Sequence, residues 1–327
     1  KASISIGAIL ERLRQHANKP NSTNFVTDAL KALHSRLKSN NTKDIPQFID
    51  AKGENVIVET SRLYGSDPVI QEECCKIFQY IALPFERSQV MEKLSDAGVL
   101  EAIMASIEEH VEDQGALKAA YEALEALINV SPLLESKLIG LNVPKYILGS
   151  QSQSVNVDEK VKSKGLNLLI RLARPNGTKS ISLNEPFVIS ILKWMEINSE
   201  ADSSLNLGVA GHVILQLLAT SNSNVKQYKN KEMHDKESEN KATDVQMHIK
   251  RRLCKLGTIS VVVHSMRKHA ENIQLQDVSC RIISEFAQTK DKKLIHALKA
   301  AKVVPAISKS LQAHMHQQGL QANALIA

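Results

Sequence analysis

The chain repeats itself, and the length of the repeat restricts the fold more than any other feature of its 327 residues. Gly257–Cys280 (GTISVVVHSMRKHAENIQLQDVSC) matches Lys302–Leu325 (KVVPAISKSLQAHMHQQGLQANAL) at an offset of 45 residues. Apolar residues coincide at Ile259/Val304, Val262/Ile307, Met266/Leu311 and Leu275/Leu320, and polar ones at His269/His314 and Gln276/Gln321. The same frame opens at Gly53 and Gly98, with His110 in the place of His269, and more weakly near Asn142 and Glu185. These starts step by 45, 44 and 43 residues. From 185 to 257 the step is 72, one repeat plus about 28 further residues. An eroded copy precedes residue 50 and ends in a helix predicted over Val26–Leu37. Units of this kind cannot bury an apolar face alone and are stable only when stacked on neighbours.

The period excludes tetratricopeptide and ankyrin arrays, whose units are about 34 and 33 residues. A WD40 blade has this length but needs four alternating strands, whereas these units carry helical spacing. Leu124, Leu127 and Ile128 recur at i, i+3, i+4, as do Leu166, Leu169 and Ile170. Composition agrees: 43% of residues are apolar but only 4% aromatic, which suits helix-on-helix packing. The fifth unit parses into helices over Asp244–Leu256, Ile259–Lys268 and Leu275–Ala287. The sixth gives Lys292–Ala301, Val303–His314 and a helix opening at Gly319. A glycine such as Gly257, tolerant of positive φ, would make the sharp bend between the first two helices.

A short first helix, a glycine turn and two antiparallel helices resemble the armadillo repeat family, with the plain two-helix HEAT repeat as the alternative. The most family-like motifs are the third-helix endings ALINVS (Ala126–Ser131), LLIRLA (Leu168–Ala173) and IISEFA (Ile282–Ala287). The run Val262–Cys280 is also similar to repeats of long multidomain armadillo proteins. The resemblance covers about residues 45–327 and implies an all-α, right-handed α-solenoid (superhelix) of about six armadillo-like three-helix repeats. Residues 1–52 would be a degenerate N-terminal repeat or cap, 53–220 four repeats, 221–243 a charged flexible insertion, and 244–327 two further repeats, the last truncated. The insertion has one aromatic residue, Tyr228, among many charges, too little to bury a core of its own.

The resemblance also implies a concave groove lined by the third helices, with two positions per helix about four residues apart. These fall on Lys76 and Tyr80, Glu125 and Asn129, Asn167 and Arg171, His212 and Gln216, and Arg281 and Glu285. Importin-type armadillo proteins carry Trp and Asn in these pairs. Here only Asn129 keeps the family asparagine, and the single tryptophan, Trp194, falls on a second helix, where core packing is expected. The implied groove has mixed charge and suits a polar or mixed-charge partner, not a nuclear-import signal.

The net charge of +6 is spread among interspersed signs, and no basic stripe is interleaved with aromatics, so no nucleic-acid partner is expected. The densest basic cluster, Lys250, Arg251, Arg252 and Lys255, could meet an acidic surface weakly. Cys74, Cys75, Cys254 and Cys280 lie in apolar helical stretches without C-x-x-C spacing, as small buried hydrophobes of a reducing, cytoplasmic compartment. His110, His269 and His314 recur at the end of the second helix, where they should bond that helix's last carbonyls rather than a metal. Glu72–Glu73 and Glu108–Glu109 read as solvated surface, and no catalytic motif, cofactor loop or transmembrane run is present. The apolar face of Leu320, Leu325 and Ile326 suggests further chain beyond residue 327. The functional expectation is a non-enzymatic scaffold or adaptor that holds a partner peptide or helix in the groove. The alternatives are a regulatory arm of a larger GTPase-, kinase- or cytoskeleton-linked protein, and a co-chaperone for a client such as myosin.

Overall fold

The computed structural model describes residues 4–16, 19, 22–39, 43–82, 87–153, 158–173, 185–200, 207–218, 236–289 and 291–327. Among the described residues every regular element is helical and there is no strand. Helices α1 (Ile6–His16) and α2 (Thr23–Lys38) precede a series of triplets. These are α3 (Asp44–Asp50), α4 (Gly53–Leu63) and α5 (Pro68–Ile81); α6 (Arg87–Ala97), α7 (Val99–Glu109) and α8 (Gln114–Val130); and α9 (Pro132–Gly140), α10 (Val143–Gln153) and α11 (Glu159–Leu172). After α12 (Glu185–Ser199) and α13 (residues 207–218) come α14 (Lys236–Lys255), α15 (Thr258–Lys268) and α16 (Ile273–Ala287). The last triplet is α17 (Lys292–Ala300), α18 (Val303–Ala313) and α19 (Gln318–Ile326). The chain divides into two compact units, Lys1–Leu168 and Leu169–Ala327, and the division falls inside α11.

Each triplet is shaped by a few local devices. In four of the described triplets the third helix starts on a side-chain cap, while α19 follows Gln317 without one: Asp67 accepts from Val69 N and Ile70 N, Asp113 from Ala116 N, Asp158 from Lys160 N, and Asn272 from Leu275 N. Such caps satisfy amide groups that the helix cannot pair internally. Among the described residues each bend between first and second helices uses a left-handed residue: Lys52, Gly98, Asn142, Gly257 and Lys302 all have positive φ. The expected glycine turn is present at Gly98 and Gly257, whereas Lys52, Asn142 and Lys302 take the left-handed place at the other described bends. Gly53 is there for closeness: a Cβ would stand 2.5 Å from the ring of the fully buried Phe48.

The second helices α4, α7, α10, α15 and α18 are each 11 residues long, and so is α1. Arg14, two residues before the end of α1, donates to Ala51 O at the next bend. Arg267, one residue before the end of α15, makes the corresponding contact, donating to Ala301 O and Lys302 O, both at 2.8 Å. The eroded N-terminal copy is therefore a second and a third helix, α1 and α2, in front of the first complete triplet.

The recurrent histidines act differently from the expectation. His110 Nε2 is 2.7 Å from Gly65 O, His314 Nε2 is 2.7 Å from Ala270 O, and His269 Nε2 is 3.0 Å from Ser199 O. A carbonyl only accepts, so each of these nitrogens carries a proton and donates. The acceptor lies in the preceding repeat, not in the histidine's own helix. Tyr64 takes the same place in α4's turn, with its hydroxyl 2.7 Å from Ser22 Oγ, again in the preceding unit. The second helix's own last carbonyls are served instead by glutamine. Gln71 donates to Ser61 O and Tyr64 O, Gln276 to Met266 O and His269 O, and Gln321 to Leu311 O and His314 O.

The core follows the apolar periodicity, with Phe48, Phe78, Phe187 and Phe286 among the largest fully buried side chains. Cys74, Cys75 and Cys280 are buried as small hydrophobes, and Cys254 is half-buried; all four are free thiols. Trp194 on α12 is half-buried and so only partly a core residue. Helix α14 begins at Lys236 rather than Asp244, so the last eight residues of the expected insertion are helical. Residues 221–235 of that insertion, Tyr228 among them, lie outside the described residues.

Candidate functional site

In the first unit, α2, α5 and α8 lie side by side in order. The polar residues of α5 are paired tightly with those around them. Lys76 Nζ is 2.7 Å from Glu72 Oε1 and 2.8 Å from Glu73 Oε1, and His34 Nδ1 of α2 is 2.9 Å from Glu73 Oε2. Tyr80 lies against the same histidine, with ring centroids 5.3 Å apart. Glu73 is buried and Glu72 half-buried, so this pair is not the solvated surface that adjacency suggests. Spacing explains it: one lysine three and four residues on reaches both carboxylates along the same turn. Burial, the largest single effect, pushes the pKa of Lys76 down, but the hydrogen bonds and charges of Glu72 and Glu73 together raise it above its ordinary value. Glu72 also leans over Gly115 near the start of α8, where an added Cβ would come within 2.5 Å of its Oε2.

The caps give a register for the third helices. Lys76, Asn167 and Arg281 each stand nine residues after their caps, Asp67, Asp158 and Asn272. The residue nine after Asp113 is Glu122, not Glu125. Helix α8 is 17 residues long against 14 for α5 and α11, and the extra length is at its end. Alignment on the motif ending shifts α8 by that excess. Glu122 makes the cross-helix pair of the first unit, with Lys164 Nζ of α11 2.8 Å from its Oε1. Glu125, Asn129 and Asn167 are exposed, and Arg171 is half-exposed.

In the second unit, α13, α16 and α19 are neighbours through small residues. A Cβ on Gly211 would stand 2.9 Å from Val278 Cγ1, and Asn323 Nδ2 donates to Asp277 Oδ1 at 2.6 Å. Close approach of α13 brings half-buried His212 within electrostatic reach of Asp277 and Arg281. Burial first, and then Arg281, pushes the imidazole pKa below its ordinary value, against the opposing effect of Asp277. Gln216 is exposed one turn along α13. Glu285, the last of the expected positions, is not open: Lys250 Nζ donates to its carbonyl at 2.5 Å and to Oε2 at 3.1 Å.

That contact also corrects the reading of the basic cluster. Lys250 is buried at the end of α16, Arg251 pairs with Asp291 Oδ2 at 2.6 Å, and Arg252 pairs with Glu185. Lys255 is exposed. Three of the four charges thus tie α14 to α16, to the start of α17 and to α12, with Arg251 and Arg252 paired yet still exposed. The signal was out of local reach, since the partners lie 35 and 40 residues later and well upstream.

Among the described residues, no group of three His, Cys, Asp or Glu converges to hold a metal ion, and no helix is long and apolar enough to cross a membrane. No family model and no curated protein matches the chain. Solved structures similar to it include three entitled "Crystal Structure of Engineered Protein" from a structural genomics consortium. The first has a TM-score of 0.46 at 16% identity, over 98% of this chain and 77% of that one. The others have TM-scores of 0.33 at 13% and 15% identity, over 97% of this chain and 96% and 94% of theirs.

Proposed function

We propose that this protein is a non-enzymatic, cytoplasmic interaction scaffold whose third helices hold an extended peptide or helix from another protein. In this reading each unit is a run of armadillo-like three-helix repeats wound as a right-handed solenoid. The observation that carries it is the row of polar side chains on neighbouring third helices. His34, Lys76, Glu72 and Tyr80 are held rigidly by one another, and Glu122 by Lys164, beside exposed Glu125, Asn129 and Asn167. Pre-ordered side chains on helices bind with less loss of conformational freedom than mobile ones. The recurrence of clamps between repeats supports the same reading, because it keeps successive third helices in register.

A random-peptide display selection on the wild type and on a Tyr80→Ala, Asn129→Ala, Asn167→Ala variant tests this. The wild type is expected to enrich a family of related sequences that the variant, matched in its thermal midpoint, does not retain. Absence of any enriched family, or equal retention by the variant, overturns the proposal.

A further inference from the structure

The two units differ in how the charges of their third helices are used. In the first unit the carboxylates Glu72, Glu73 and Glu122 each hold a Lys or His at 2.9 Å or less. In the second, Arg281 Nη1 is 4.0 Å from Asp277 Oδ2, beyond hydrogen-bond reach, and its side chain is 47% exposed. Asp277 is meanwhile engaged through its other oxygen by Asn323. Arg14, Arg36, Arg251 and Arg267 each donate a hydrogen bond within the protein, whereas among the described residues Arg281 donates none, as is also true of Arg12, Arg62 and Arg171. The flanking helices α13 and α19 carry no acidic residue, and His212, within electrostatic reach of Arg281, is held toward its neutral form. The result is a guanidinium with unused donors on a helix face where the carboxylates one turn to either side, Asp277 and Glu285, are engaged by Asn323 and Lys250.

We infer that Arg281, with His212 within electrostatic reach, receives the carboxylate side chain of an acidic peptide segment. This rests on the reading of the third helices as a peptide-binding face and names the chemistry taken in the second unit. A guanidinium presents a planar fork that matches a carboxylate with two parallel N–H···O bonds.

Anisotropy of fluorescein-labelled octapeptides of alternating Ser and Glu, Ser and Gln, or Ser and Lys, titrated with the full chain, tests this. The Glu peptide is expected to bind best, with affinity about tenfold weaker for Arg281→Gln, the scale of one charge-assisted contact. Asp277→Asn strengthens it, and His212→Asn weakens it by a smaller factor. Circular dichroism and urea midpoints establish that the variants are folded. Unchanged affinity in Arg281→Gln, or a preference for the Lys peptide, overturns the inference. Equal binding of Gln and Glu peptides sinks the acidic specificity while leaving peptide binding standing; no binding of any peptide counts against both. Tighter binding of polyuridylate, lost in Arg281→Gln, gives the site to phosphate and also overturns it.

Discussion

His314 shows how a single residue can join two repeats. Its ring is buried and its only acceptor is a main-chain carbonyl 44 residues earlier, so the contact does not depend on the partner's side chain. His314→Ala should lower stability by about 1–3 kcal/mol, the cost of leaving a buried acceptor unpaired. The exposed neighbour His316→Ala should change it little, and urea unfolding of the two variants checks the difference. Glu54 gives a prediction with a pH sign. It is buried at the start of α4, and its Oε2 has no hydrogen-bond partner among the described residues. Burial raises its pKa above the ordinary 4.5, opposed less strongly by a backbone hydrogen bond and the charges of Lys93 and Lys52. The native state then binds more protons than the unfolded state just above that value, so stability falls as pH rises through the window. Glu54→Gln should therefore raise the urea midpoint at pH 7 and lose that gain near pH 4. An equal gain at both pH values contradicts this.

At the scale of elements, the bends and caps are where the repeat is encoded. Lys302 has φ of 53°, a conformation that costs a residue with a Cβ roughly 1 kcal/mol relative to glycine. Lys302→Gly should stabilise by up to about that amount, while Gly257→Ala, at φ 86°, should destabilise by a similar one. Thermal unfolding of the pair measures both, and opposite signs are expected. Helix existence and order were legible from apolar periodicity alone, since the face of a helix repeats within a few residues. The register of α8 depends on which end is aligned, because α8 is longer than α5 and α11. The local signal that finds it is the cap: Asp67, Asp113, Asp158 and Asn272 mark the same starting point regardless of helix length.

The whole chain contains two compact units, and its only tryptophan lies in the second. Phe48 is fully buried in the first, where its loss to alanine should cost about 3–5 kcal/mol. If the units unfold separately, as expected for repeat arrays with local contacts, Phe48→Ala shifts part of the circular-dichroism transition and leaves the Trp194 fluorescence transition in place. Movement of both together by the same amount shows one cooperative unit instead. The period of 45 residues and the helical spacing within it were sufficient to fix an all-helical chain of recurring triplets, because each depends on residues near one another in sequence. The pairing of the third-helix side chains, the role of the histidines and the partners of the basic cluster were decided only in three dimensions. Lys250, Arg251 and His314 reach acceptors 35, 40 and 44 residues away, and Arg281 is distinguished by a partner it fails to reach. Charge and donor count can be read from a sequence; which of them are already spent depends on neighbours that only packing brings together.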